Sequence, residues 1–359
     1  MAETSFGLNH PLAVKLWSKK LFHEALKSTY FGRFMGTGSD NLIQIKSETS
    51  KDAGDKITFG LRMQLSGDGT GGDDTLEGNE EALTLYNDAV YIDQLRHAVV
   101  SGGKMSEQRV PFSVREEARM GLQDWFSGRF DTAMFNQLAG RSGIADTRYT
   151  GSQAAPAPTK VMVGGFGAGA HADTTEASLS ATTTHTLQLR DLDALVAFAK
   201  TTSPMIRPIM IGGKPHYLCF IHPNTTFQLR GQANAGQWAD IQLAAMQGGI
   251  YKDNPIVTGA LGVYNGVILH ESAYIPNTES VAAGNTDYRR AIFCGAQAGV
   301  IAFGQGGSAN KMKWNEEMFD YGNKLGVSAG TIYGLKKTQF NGSDFSVITV
   351  PHWAPAKLS

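Results

Sequence analysis

Between Asp55 and Gly103 the chain alternates apolar and polar positions in a way that predicts a long two-stranded hairpin. On the outgoing arm Ile57, Phe59, Leu61, Met63 and Leu65 share one face, while Thr58, Gly60, Arg62 and Gln64 share the other. That is the period of two of a half-buried strand. A polar, glycine-rich tip runs from Ser66 to Asp74, and the chain returns through Leu83, Leu85, Tyr86, Val90, Tyr91, Ile92, Leu95, Val99 and Val100. A lone two-stranded ribbon is marginal in water, so its apolar row needs cover. Neighbouring copies are the expected cover, with Phe59, Leu61, Met63, Leu65, Leu83, Leu85 and Tyr86 as candidate inter-subunit contacts.

The period then lengthens. Pro111 precedes Ser113-Val114-Arg115-Glu116, a capping box. Val114, Ala118, Leu122, Trp125, Phe126, Phe130, Met134 and Leu138 follow at three- and four-residue steps, with Gly140 where a left-handed C-terminal residue is favoured. A long amphipathic helix over residues 112–139 is predicted, with Trp125 and Phe130 buried. Gly121 and Gly128 inside it point to bending or close packing. Upstream, Asn9-His10-Pro11 opens a shorter helix carrying Leu12, Leu16, Trp17 and Leu21, and Gly32, Gly36 and Gly38 end the helical signal.

Downstream, Arg141 to His185 is rich in Gly, Ala, Ser, Thr and Pro, a loop-dominated crossover. A helix is predicted over Leu189 to Thr201, ended by Pro204, and a buried strand over Pro208 to Pro223. Another helix is predicted from Trp238 to Met246, then strand-like runs between Ile256 and Ile275. Arg290 to Gly304 reads as a strand followed by a helix, and Met312-Lys313-Trp314, Gly330 to Leu335 and Phe345 to Val350 as returning strands. The fold class is α+β.

Composition narrows the function. Lys and Arg number 32 against 33 Asp and Glu, a net charge of −1, which argues against a dedicated nucleic-acid binder. Glycine at 42 residues and only 18% charged residues suit a loop-rich chain whose surface is partly covered by other subunits. Cys219 and Cys294 sit in apolar runs and read as buried reduced thiols. No signal region opens the chain and no apolar run is long enough to span a bilayer.

Three features invite a chemical reading. Gly167 to Ala172 matches G-x-G-x-x-A, but the Ser/Thr-rich stretch after it is poor helix material, and a dinucleotide site needs a helix N-terminus there. His216 and His222 share a strand face, yet no H-E-x-x-H or C-x-x-C spacing accompanies them. Asp68, Asp73 and Asp74 lack the ligand spacing of a calcium loop. No G-x-S-x-G elbow exists, nor a cysteine beside a plausible base. No catalytic residue, cofactor or metal is expected.

The order of parts resembles the tailed-phage major capsid proteins of the Hong Kong 97 type. Dispersed strings carry the resemblance, and they look like the branch found in short-tailed phages. They are Thr75 to Glu81 with Val90 to Arg96, His222-Pro223, Gly262 to Ser272, Asp320 to Lys324 and Gly334 to Lys337. It implies an N-arm (1–50), an extended E-loop (51–104), a P-domain with a spine helix and crossover (105–203), an A-domain (204–311) and returning P-domain strands (312–359). It also implies a shell protein forming hexamers and pentamers of an icosahedral head around double-stranded DNA, held in the virion after assembly in the host cytoplasm. Implied partners are further copies of the chain, a separate scaffolding protein, a portal and a decoration protein, with weak non-specific contact to packaged DNA. The scaffold is expected to be separate because the arm starts almost at Met1. Lys56 and Lys104 lie only at the hairpin base, so the covalent crosslinking of some relatives is not carried over. An encapsulin-like compartment sharing the fold and, more remotely, a nucleotide-binding oxidoreductase are the alternatives.

Overall fold

The computed structural model describes residues 29–46, 54–109, 113–165, 185–232, 260–278, 287–304 and 313–355, apart from positions 64, 66, 74, 76, 110 and 212, together with Glu176 and Leu179. In chain order the strands are β1 (Met35–Gly36), β2 (Ile43–Lys46), β3 (Lys56–Arg62), β4 (Leu85–Tyr91), β5 (Asp93–Val100), β6 (Ile209–Ile211), β7 (Lys214–Ile221) and β8 (Gly262–Tyr264). They continue as β9 (Val267–Glu271), β10 (Tyr288–Cys294), β11 (Gly299–Phe303), β12 (Lys313–Phe319), β13 (Lys324–Lys337), β14 (Gln339–Phe340), β15 (Ser343–Asp344) and β16 (Val347–Trp353). The helices are α1 (Lys104–Gln108), α2 (Val114–Leu138), α3 (Leu189–Thr201) and α4 (Pro223–Gln232).

Two six-stranded sheets carry the fold. The first runs β1-β2-β11-β13-β12 with β5 also paired to β13; the second runs β16-β10-β7-β9-β8 with β6 also paired to β7. Helix α2 packs on one face of the first sheet, setting Leu122, Phe126, Phe130 and Met134 against Leu95, Ile301, Val327, Tyr333 and Leu335. Its C-terminal half also meets Phe220, Ile268 and Ile292 of the second sheet. Helix α3 covers the far face of that sheet, where Leu192, Leu195, Val196 and Ala199 meet Tyr217, Cys219, Val267 and Phe293. A sheet buried on both faces needs apolar residues at every position, which is why Tyr217 to Ile221 is an unbroken apolar run.

The ends of α2 follow from its caps. Ser113 Oγ accepts from the Glu116 N–H at 3.4 Å, and Gly140 takes φ +68° where an added Cβ would stand 2.9 Å from the Pro156 carbonyl. From Ala133 to Leu138 every residue is buried, so each polar group there needs an internal partner. Gln137 donates to the Thr150 and Gln153 carbonyls, Asn136 to the Tyr149 carbonyl at 3.0 Å. Arg290 of β10 donates to the Ala139 and Gly140 carbonyls at 3.2 and 3.0 Å while pairing with Glu176, a cation at the negative helix end.

Several expectations change. Residues 29–46 are not a free arm: Phe31, Phe34, Leu42 and Ile43 are buried, β2 runs parallel to β11, and Asp131 of α2 accepts the Tyr30 and Phe31 N–H groups at 2.8 and 3.3 Å. The return arm of the hairpin divides at Ile92. β4 stays with β3, and β5 crosses to pair with β13. Arg290 to Gly304 is two strands, β10 and β11, with no helix, and Pro208 to Pro223 is a hairpin turning at Gly213. Gly128 admits the Tyr274 hydroxyl, whereas Gly121 faces open space. Trp125 is half-buried, stacked on His97 at 4.4 Å under the Arg129 guanidinium. The predicted helices near residues 10–26 and 238–246 lie outside the described residues.

Two outcomes follow. Phe130→Ala should cost about 3–5 kcal/mol and Trp125→Ala no more than about 2 kcal/mol in chemical denaturation; the reverse order would mean the wrong face of α2 has been assigned to the core. The second concerns pH. Burial, with Arg289 nearby, holds His222 and His352 down to about 4, below the ordinary 6.5. Their contribution to stability is complete above pH 6.5 and is lost as pH falls to about 4. Burial pushes Asp131 up to about 6, which acts in the opposite sense but is one group against two. The melting temperature should therefore drop between pH 6.5 and 4. The drop should be smaller in His222→Asn, which keeps an acceptor for the Asn224 N–H while removing one titration.

Candidate assembly surfaces

The hairpin β3–β4 is fastened to its own chain at the root and bare at the tip. At the root Ile57 and Val90 pack on Val300 and Ala302 of β11, with Phe59 and Ile92 against them. Gly334 of β13 lets the strands close up, since a Cβ there would collide with the Tyr91 carbonyl. Lys336 of β13 pairs with Asp88 and donates to the Ala89 carbonyl at 3.2 Å. Asp88 also accepts the Gln339 N–H at 3.0 Å, and Phe59 meets Phe340 edge-on at 5.9 Å.

The seven candidate contacts therefore divide. Phe59 is half-buried and meets Phe340 of its own chain. Leu61, Met63 and Tyr86 are half-buried. Leu65, Leu83 and Leu85 stand 65%, 52% and 65% exposed, too apolar a group for a surface meant to face water. Around them Asp68, Asp73, Glu77, Glu80 and Glu81 are exposed as well. No lysine, arginine or histidine occurs from 63 to 95, so the tip is a local polyanion with leucines in it.

A second apolar region had no sequence signal. At the far end of the first sheet Val100, Met105, Met318 and Phe319 are exposed. Beside them Tyr321 projects from a turn in which Asp320, Tyr321 and Gly322 all take positive φ. Asn323 fixes that turn: its N–H reaches the Asp320 carbonyl at 3.0 Å, and its own carbonyl accepts the Lys104 N–H at 3.1 Å. These side chains come from β5, α1 and β12, which only the strand register brings side by side.

The chemical candidates are placed as follows. Cys219 and Cys294 are free and buried, and the pairing of Phe293 with Cys219 puts them on opposite faces of the second sheet. His216 is buried in β7, and His222 accepts the Asn224 N–H at the start of α4. The loop Gly167 to Ala172 and Asp74 lie outside the described residues. Among the described residues no group of His, Cys, Asp and Glu could hold a metal ion, and no helix is long and apolar enough to cross a membrane.

Known proteins match this architecture along its length. The phage capsid protein family matches residues 5–356. The major capsid protein of Pseudomonas phage KPP25 is 30% identical, covering 93% of this chain and 93% of that protein. The capsid of Ralstonia phage GP4 superposes with a TM-score of 0.80 at 34% identity over the whole of both chains. The capsid of cyanophage Pam1 shares the fold, with a TM-score of 0.72 at 22% identity over 99% of this chain and all of that one. A chain whose hairpin is rooted in its own sheet and whose tip is left apolar in water thus belongs to the phage capsid protein family, as a structural protein of the phage shell.

Proposed function

We propose that the chain tiles an icosahedral phage head as hexamers and pentamers around double-stranded DNA, with the Hong Kong 97-type division of labour. In this scheme β3–β4 is the E-loop that reaches over a neighbouring subunit, and α2 is the spine helix of a P-domain made of residues 105–203 and the returning strands of 312–359. Residues 204–311 form the A-domain, and residues 1–50 an N-arm whose residues 29–46 are rooted in the core. The observation that supports it best is the contrast along one hairpin: a root held by Lys336, Val300 and Phe340, and a tip displaying Leu65, Leu83 and Leu85. A rigid root aims the arm, and the exposed leucines supply the hydrophobic contact that would hold a neighbour, about 1.5–3 kcal/mol for each one fully buried.

Scaffolding, portal and decoration proteins complete the scheme, together with assembly in the host cytoplasm. Contact with the genome is weak and non-specific, because a chain with 32 basic and 33 acidic residues has little net charge with which to release counterions. A wall of that kind holds packaged DNA without adsorbing it.

Replacing Leu65 to Glu81 by a short glycine turn should leave a soluble subunit with its root and both sheets intact, yet one that makes no closed particles in electron microscopy. Particles of normal size and yield from that deletion would refute the role given to the hairpin.

A further inference from the structure

Four side chains from three parts of the chain stack together on the α2 side of the first sheet. His97 of β5 lies on the Trp125 ring of α2, with centroids 4.4 Å apart and planes 21° from parallel. Arg129 follows one helical turn later. Its guanidinium stands 5.1 Å from the Trp125 centroid and 4.0 Å from that of Tyr149, in the turn after α2. His97 and Tyr149 are exposed, and Trp125 and Arg129 are half-buried, so the stack reaches the surface.

A stacked guanidinium uses its faces and keeps its edge. Its N–H donors lie in the plane of the fork, so contacts with rings hold the group in place without consuming a donor. Among the described residues no oxygen accepts a hydrogen bond from Arg129. Asp146, whose carboxylate feels the Arg129 charge, is held instead by Arg148 at 2.7 Å. A fork that is fixed by rings and carries unused donors suits an oxyanion from outside the chain, bound through two parallel N–H···O bonds.

We propose that Arg129, gripped by Trp125 and Tyr149, is a seat for a backbone phosphate of the enclosed double-stranded DNA. The inference rests on the shell role proposed above and names the surface at which its weak contact with the genome is made.

Two observations favour phosphate over a base or a protein carboxylate. The first is how the rings are used. His97 and Arg129 both lie against Trp125, and Arg129 also covers Tyr149, so no slot between the rings is left for a base. What remains is the edge of the fork, which can position a phosphate but cannot read sequence. The second is the place of the stack. The hairpin is rooted on Val300 and Ala302, whereas Ile301 and Phe303 of the same strand belong to the core beneath α2. Alternation along β11 therefore puts the arm and the stack on opposite faces of the first sheet. Where the arm reaches over neighbouring subunits, the stack looks the other way, toward the contents of the shell. One fork per subunit, repeated over the wall, gives a loose and sequence-blind hold.

The test has two parts. In the first, phenylglyoxal, which labels accessible guanidinium groups, is applied to DNA-filled and to emptied particles of the unaltered chain, and labelled arginines are read by peptide mass spectrometry. Arg129 should react about tenfold more slowly in filled particles, because the bound fraction is shielded. Equal rates in the two would overturn the seat: if both are fast, DNA does not touch the fork, and if both are slow, a carboxylate of another subunit or some other protein group covers it. The second part measures binding of a mixed-sequence duplex to unassembled subunits across a salt series. Arg129→Gln should reduce the slope of log K against log salt by about 0.9, the contribution of one phosphate contact, and Arg129→Lys, which keeps the charge, should restore it. An unchanged slope in Arg129→Gln, beside binding by the unaltered chain, would remove the seat and leave the weak genome contact to another surface. No duplex binding by the unaltered chain even at low salt would remove both.

Discussion

The fold depends on the burial of the last two turns of α2 between two sheets. A helix end surrounded by protein on every side cannot leave its final carbonyls to water. Arg290 answers this from β10, capping the Ala139 and Gly140 carbonyls and pairing with Glu176. Gln137 answers it from within, reaching two carbonyls of the following loop and accepting the Lys337 N–H. One guanidinium and one amide thereby tie the long helix, the second sheet, the loop after the helix and the end of β13 into a single body. Losing either partner leaves buried polar groups unmatched, which is far more damaging than losing an ordinary surface hydrogen bond.

The same logic explains the buried ion pair at the far end of β13. Lys337 and Asp344 are both fully buried, 2.9 Å apart, and Asp344 also accepts from Gln339 and the Thr159 N–H. Burial pulls the Lys337 amine below its usual value and Asp344 opposes the shift. A pair this dry adds little net stability; it fixes where the β14–β15 corner and the crossover loop meet. That corner carries Phe340, against which the hairpin root packs. The reach of the arm is thus set by polar contacts some distance from its tip.

The consequence for assembly is a division between rigid and sticky parts. The root is held by apolar packing, an ion pair and an aromatic contact, so the arm leaves the body in a defined direction; in the proposed E-loop role it would give up little freedom on docking. The tip carries carboxylates and exposed leucines together, the mixed character that the proposed E-loop role calls for. The end of the first sheet has the same mixed character, with Phe319 and Tyr321 at a turn whose backbone Asn323 holds. Shell proteins need both properties, since a subunit must survive alone before it finds its place.

Much of this was legible in the sequence. Caps and a 3.6-residue period marked α2 almost to the residue, and Leu189 to Thr201 emerged as the helix α3, because local signals decide where helices start and stop. The hairpin was legible from alternation, and the dispersed strings pointed to the family. What was misread depended on partners distant in the chain. An apolar run such as Arg290 to Gly304 does not say whether it is a helix or two strands until the sheet that pairs with it exists. Nothing local told that β5 would leave the hairpin at Ile92, because its hydrogen bonds go to β13, more than 200 positions onward. Nor did anything local tell that Phe59 would meet Phe340, far along the chain. Sequence alone determined the elements and the existence of an arm, since both rest on short-range periodicity and capping. Tertiary structure decided which apolar residues the chain buries and which it leaves exposed, since burial is settled only when strands far apart in sequence come into register.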